Sequence, residues 1–134
     1  MAPSNVDIVR GIYERWGRGE PPWSGDALEA YDPEVDWHMP HPGLTAHGLD
    51  ELVRLWHRFL GTWDEYRIDL EELRPVGDQH VLVFFSEHAR GKGAGVQTES
   101  HPAAVWTLKD GKVVRFESYA DRAEVLAVLG LRPA

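Results

Sequence analysis

Apolar positions along the chain follow two rhythms. Between Ser4 and Trp16, the residues Val6, Val9, Ile12, Tyr13 and Trp16 recur every three or four positions, as on one face of a helix. Ser4 and Asp7 have capping-box-like spacing at its start, and Gly17 and Gly19 end it. Asp26 to Tyr31 reads as a short second helix, stopped at Asp32-Pro33. Leu49 to Leu60 is the clearest helix, with Leu49, Leu52, Val53, Trp56, Phe59 and Leu60 on its apolar face and Gly61 after it. The second rhythm is alternation. Val35 to Met39 puts Val35, Trp37 and Met39 on one side of a short strand and Asp36 and His38 on the other, outward side. Tyr66 to Leu73 sets Tyr66, Ile68 and Leu70 against Arg67, Asp69 and Glu71. His80 to Ala89 is the next strand, and Val96 to Leu108 a longer one that Pro102 interrupts with a bulge or bend. Asp110-Gly111 is a hairpin turn leading into the last strand, Val113 to Tyr119. Asp121 to Leu129 forms a final helix before Gly130, with Asp121 and Glu124 at capping spacing. Pro40–His47 and Gly91–Gly95 read as loops.

The run Val81–Phe85 is apolar on both faces: Leu82 and Phe84 on one, Val83 and Phe85 on the other. The chain's own helices can cover one face. The other is expected to meet a second copy of the chain, because a bare apolar sheet is rare on a soluble monomer. At 134 residues the chain is one domain, 1–134, large enough for a true core. Six tryptophans are many for this length and predict a bulky aromatic interior or a lined pocket. A net charge of −8 argues against a nucleic-acid partner, which needs a concentrated basic face. Without cysteine there is no disulfide, thiolate nucleophile or Cys-based metal site. No apolar run approaches the ~20 residues of a membrane span, and Met1-Ala2-Pro3-Ser4 does not open a signal peptide. A cytoplasmic protein with no membrane partner is the expectation.

The order of elements resembles the nuclear-transport-factor-two-like superfamily, in its SnoaL-like polyketide cyclase and ketosteroid isomerase-like branch. The landmarks are Asp32-Pro33-Glu34-Val35, the helix anchored by Gly48, Asp110-Gly111-Lys112-Val113 and the Tyr119-x-Asp121 tail, spread over nearly the whole chain. The resemblance implies an α+β fold: a cone-shaped, curved antiparallel sheet wrapped around an apolar cavity and roofed by N-terminal helices. It also implies a homodimer through the outer sheet face.

The chemistry that the resemblance brings does not carry over intact. Ketosteroid isomerases use a carboxylate base on the first strand, with a tyrosine and a protonated acid as oxyanion donors. Aligned on Gly19, Gly48, Pro102 and Gly111, those positions fall on Met39, on Ile12 beside Tyr13, and on Ala104. The catalytic aspartate of SnoaL-type cyclases falls on Ser118, and its histidine partner on Ala104. Met and Ala move no protons, and Ser has no suitable pKa. The catalytic candidates that remain are His88, on the strand face of Leu82 and Phe84, as a general base, and Tyr13 and Ser118 as hydrogen-bond donors to a ligand oxygen. Glu99 and His101 could pair at the rim, on a face that Pro102 leaves open. Trp16, Trp37, Met39, Trp56, Phe59, Phe84, Trp106 and Phe116 are the candidate lining for an apolar ligand. His38, His41 and His47 lie in or beside a Pro/Gly loop with no regular scaffold, so no metal or other cofactor is expected. Two functions fit: a lyase, isomerase or cyclase acting on a carbonyl-bearing polyketide- or terpenoid-like molecule, or a non-catalytic domain that binds an apolar small molecule or only dimerises.

Overall fold

The computed structural model describes residues 4–17, 29–39, 45–61, 63–91 and 97–129. In chain order they form α1 (Asn5–Gly17), β1 (Tyr31–His38), β2 (Thr45–His47), α2 (Leu49–Leu60), β3 (Trp63–Val76), β4 (His80–Gly91), β5 (Gln97–Ser100), β6 (Ala103–Lys109), β7 (Lys112–Tyr119) and α3 (Arg122–Leu129). The strands make one curved, unclosed sheet in the order β2-β1-β7-β6-β4-β3, with β5 also paired to β4. The fold is the expected α+β arrangement. Every pairing is antiparallel except β1 with β7, which run parallel.

Local chemistry sets the element boundaries. The Ser4 hydroxyl accepts the Asp7 amide at 3.2 Å and caps α1, whose Val9, Ile12, Tyr13 and Trp16 are buried as its periodicity requires. The second helix expected at Asp26–Tyr31 is not what Tyr31 joins: residues 26–28 lie outside the described residues, Glu29 and Ala30 are in 3₁₀ conformation, and Tyr31 opens β1. Its ring is buried beside Trp106, which only a strand position provides. Pro33 cannot donate to the ladder, and the β1–β7 register is irregular between Tyr31 and Asp36. Part of the expected Pro40–His47 loop is β2, whose Ala46 is buried opposite Trp37. Pro102 divides the long strand expected after residue 96 into β5 and β6, both paired with β4. On β3 a register shift between Leu70 and Glu72 breaks the alternation, leaving Leu70 exposed and turning Leu73 toward the core.

The two faces of β4 are the reverse of the cavity assignment made from sequence. Val81, Val83 and Phe85 join the main core with Val9, Ile12, Tyr13 and Trp106, on the inner face toward α1. Leu82 and Phe84 lie on the outer face in a second cluster with Ala103, Val105, Val125 and Leu126. Alternation marks two faces without ranking them, and here α3 covers the one that would otherwise be bare. The apolar surface from which pairing of two copies was argued therefore lies under α3.

Aromatic rings fill the inner face. Trp37, Trp56, Trp106, Tyr31 and Phe116 are its largest fully buried side chains. Trp37 stacks on Phe116 with centroids 3.9 Å apart, and Trp106 meets both edge-on at 5.8 and 4.7 Å. Among the described residues, these rings pack against one another in the middle of the inner face. No described helix is long and apolar enough to cross a membrane.

Candidate functional site

The open space lies at the end of the β3–β4–β5 arm. A cleft of about 830 Å³ there is lined by Trp16 and Gly17 at the end of α1, by Tyr66 and Arg67 on β3, and by His88 and Glu99 on β4 and β5 among others. Trp16 reaches it because α1 ends against β3. Tyr66 reaches it because β3 runs on past the core as the sheet's edge strand.

Beneath the cleft the inner face carries a polar group absent from the sequence candidates. Glu87 stands opposite Ile68, which is fully buried on the inner face, and the Tyr66 hydroxyl donates to Glu87 Oε2. The missed signal was the parity of β4. Once Val81, Val83 and Phe85 point inward, Glu87 is the next inward position. Tyr66 keeps its proton well above the usual tyrosine range, first because it is buried and then because it faces the Glu87 charge.

Tyr13 is part of the same wall. Its hydroxyl accepts the Trp106 indole N–H at 3.1 Å, and its ring stacks on Trp16 at 5.4 Å. Burial pushes its pKa far above the ordinary 10.0, the Trp106 bond opposes this, and Glu87 adds to it. Tyr13 is therefore a neutral phenol, able to hold a hydrogen bond but not to serve as a base. Trp56 sits edge-on to Trp16 at 5.1 Å, to Trp37 at 6.1 Å and to Tyr66 at 6.3 Å. The indole nitrogens of Trp16 and Trp37 are buried with no hydrogen-bond partner among the described residues.

The three catalytic candidates from sequence are not brought together. His88 lies at the cleft rim, its ring 3.6 Å from Asp69 and 3.9 Å from Glu99. Tyr13 is buried against Trp106. Ser118 lines a separate groove with His38, Met39 and Glu124, beyond the ends of β1 and β7. Of the lining candidates, Trp16 lines the cleft, whereas Trp37, Trp56, Trp106 and Phe116 are buried core and Met39 borders the Ser118 groove. Phe84 is corrected to the outer face, where the Arg122 guanidinium lies 4.9 Å over its ring. The Phe59 side chain lies outside the described residues.

The polar residues around Pro102 form a chain on the outer side. His101 is 3.9 Å from Glu99 and 3.5 Å from Glu71, and Arg122 binds Glu71 at 2.9 Å. The Arg122 bond comes first in holding Glu71 below the usual carboxylate range. Asp121 caps α3 through the Ala123 amide at 2.8 Å. His47 pairs with Asp36 across β1 and β2, and no three described His, Asp or Glu side chains converge as metal ligands. His41 lies outside the described residues.

Residues 9–116 match the SnoaL-like domain family. No curated protein matches the sequence. Among solved structures, an NTF2-like protein of unknown function from Burkholderia pseudomallei is 27% identical, with 93% of this chain and 96% of that one covered at a TM-score of 0.75. An NTF2-like protein from Burkholderia thailandensis is 26% identical, with 98% and 99% covered at 0.76. A protein from Jannaschia, provisionally assigned as a SnoaL-like polyketide cyclase, is 16% identical, with 96% and 93% covered at 0.74, a likeness that bears on the fold alone.

Proposed function

Because this chain belongs to the SnoaL-like domain family, we propose that it binds a flat apolar small molecule in the cleft beside Trp16 and Tyr66. The observation that carries this reading is the pairing of two aromatic rings, Trp16 and Tyr66, with about 830 Å³ of open space. The volume lies within the ~300–1,000 Å³ of small-molecule pockets, and the two rings sit beside charged side chains at the rim, among them Glu65, Arg67, Arg90 and Glu99. Trp16→Ala and Tyr66→Ala are each expected to weaken binding of naphthalene, followed by calorimetry, about tenfold or more. Ser118→Ala, in the separate groove, is expected to leave it unchanged. Binding that survives both aromatic truncations would place the ligand elsewhere.

One observation favours a second reading, an enzyme of the lyase, isomerase or cyclase kind acting on a carbonyl-bearing polyketide- or terpenoid-like molecule. Glu87 is a carboxylate on the inner face, bonded to a tyrosine that lines the cleft. Glu87, rather than Met39 or Ser118, would then take up the proton. The rate would be lost in Glu87→Gln. A base at His88 would instead leave Glu87→Gln active and be lost in His88→Gln.

A further inference from the structure

We propose that β5 is a strap, free to leave β4 in the empty protein and drawn into place by a molecule in the cleft. The proposal rests on the binding reading above and adds how the site closes on what it binds.

Pro102 divides two strands that are held very differently. On its C-terminal side β6 lies between β4 and β7, with Ala103, Ala104, Val105, Trp106 and Leu108 buried. On its N-terminal side β5 pairs, among the described strands, with β4 alone, from Glu87↔Ser100 to Arg90↔Gln97. All four of its side chains are exposed, and neither apolar cluster includes one of them. Its printed side-chain ties are long. Thr98 Oγ1 donates to the Ala89 carbonyl at 3.5 Å, and Glu99 stands 3.9 Å from both His88 and His101, beyond hydrogen-bond reach. Exposed contacts of that kind add little to stability. A segment with few buried apolar contacts and exposed backbone bonds opens at a far lower free energy than the core beside it.

The hinge is Pro102. It is buried, and its carbonyl accepts the amide of Phe85, a member of the main core. Movement of β5 therefore stops there and does not reach β6. β4 also stays in place, because β3 pairs along its other side from Val76↔His80 to Trp63↔Gly91.

Occupancy of the cleft shifts the balance. Gln97, Thr98 and Glu99 line it together with Trp16 and Tyr66. A molecule lying against the two rings gives the β5 side chains a surface to pack on that the empty protein lacks. Contact with it stabilises the paired strand, and by linkage the paired strand binds the molecule more tightly.

The first test is amide exchange on the wild-type protein, with and without naphthalene. In the empty protein, residues 97–100 should exchange about a hundredfold faster than residues 103–108. Saturating naphthalene should slow the first set about tenfold and leave the second unchanged. The second test staples the strap. The chain has no cysteine, so Ala89→Cys with Thr98→Cys, at register partners, allows a single disulfide within the span such a bond needs. Once oxidised, the variant should bind naphthalene severalfold tighter than the same variant reduced, because ordering β5 no longer opposes binding. Exchange at 97–100 as slow as at 103–108 in the empty protein overturns the proposal, since β5 is then a fixed wall. So does naphthalene binding that leaves β5 exchange unchanged, or equal affinity of the oxidised and reduced variant, and in each case the binding reading stands. If the double variant does not fold or oxidise, exchange in the wild-type protein decides alone. Naphthalene that binds neither wild-type nor reduced protein removes both readings.

Discussion

Asp36 and His47 face each other across β1 and β2 at 2.7 Å. Their hydrogen bond comes first both in lowering the Asp36 pKa from its ordinary 3.8 and in raising that of His47 from 6.5. The two signs are opposite. The Asp36 contribution to stability is present above its unfolded value and is lost as the pH falls through the lowered pKa. The His47 contribution is present below its unfolded value and is lost as the pH rises through the raised one. The pair therefore contributes fully between about 4 and 6.5 and fades on either side. His47→Gln is expected to flatten the pH dependence of the urea midpoint on both flanks. At the opposite extreme of burial, Trp37→Ala removes a ring packed on three others, and about 3–5 kcal/mol of stability should go with it in urea unfolding. Such core positions were legible from periodicity, as Tyr13, Trp16 and Trp37 show, and so was the capping role of Asp121. Glu87 was not. A carboxylate inside a run apolar on both faces declares itself only when the parity of the strand is known, and α3 decides that parity from forty residues away in sequence.

At the scale of elements, one arginine joins three of them. Arg122 opens α3 and binds Glu71 on β3, the Phe85 carbonyl on β4 and the His101 carbonyl beside the Pro102 bend. Arg122→Ala is expected to cost about 1–3 kcal/mol. Its signature would be faster amide exchange in α3 rather than in α1, because among the described side chains Val125 and Leu126 are the others that anchor α3. The Gly48 landmark has a backbone reason. Its φ is +85°, and a Cβ there would meet the Pro33 carbonyl at 3.4 Å. Gly48→Ala should cost about 1–2 kcal/mol of stability for the left-handed conformation. The helices and the final hairpin were legible because each carries its own punctuation. β2 was not, because three residues are too few to show a period, and the start of β1 was hidden by Asp32-Pro33, which reads as a stop but sits inside a strand.

For the whole molecule, the order of elements along the chain already points to the α+β fold. What the order could not show was how the interior is divided between packing and open space, since Trp37 and Trp16 look alike in a sequence and only one of them lines the cleft. The outer face bears on self-association. Outside the patch under α3 it carries charged pairs, among them Arg115 with Glu117 at 2.9 Å and the Asp36–His47 pair. A homodimer built through that face joins charged strands, so its dissociation constant should rise with salt in sedimentation runs between 50 and 500 mM. A salt-independent dimer would put the interface on another surface.

The parallel pairing of β1 with β7 also sets an order of events when the chain is synthesised. Among the described strands β1 leaves the ribosome before the others, yet its partner β7 lies some eighty residues later. Until Lys112–Tyr119 emerges, the one described strand beside β1 is the three-residue β2. Trp37 meanwhile lacks Phe116, the ring it stacks on, and stays exposed to other chains and to chaperones. Nascent chains halted at Lys109 should thus remain open to protease along β1, while those extended past α3 should close in a single step, with the oldest strand among the last to be sheltered.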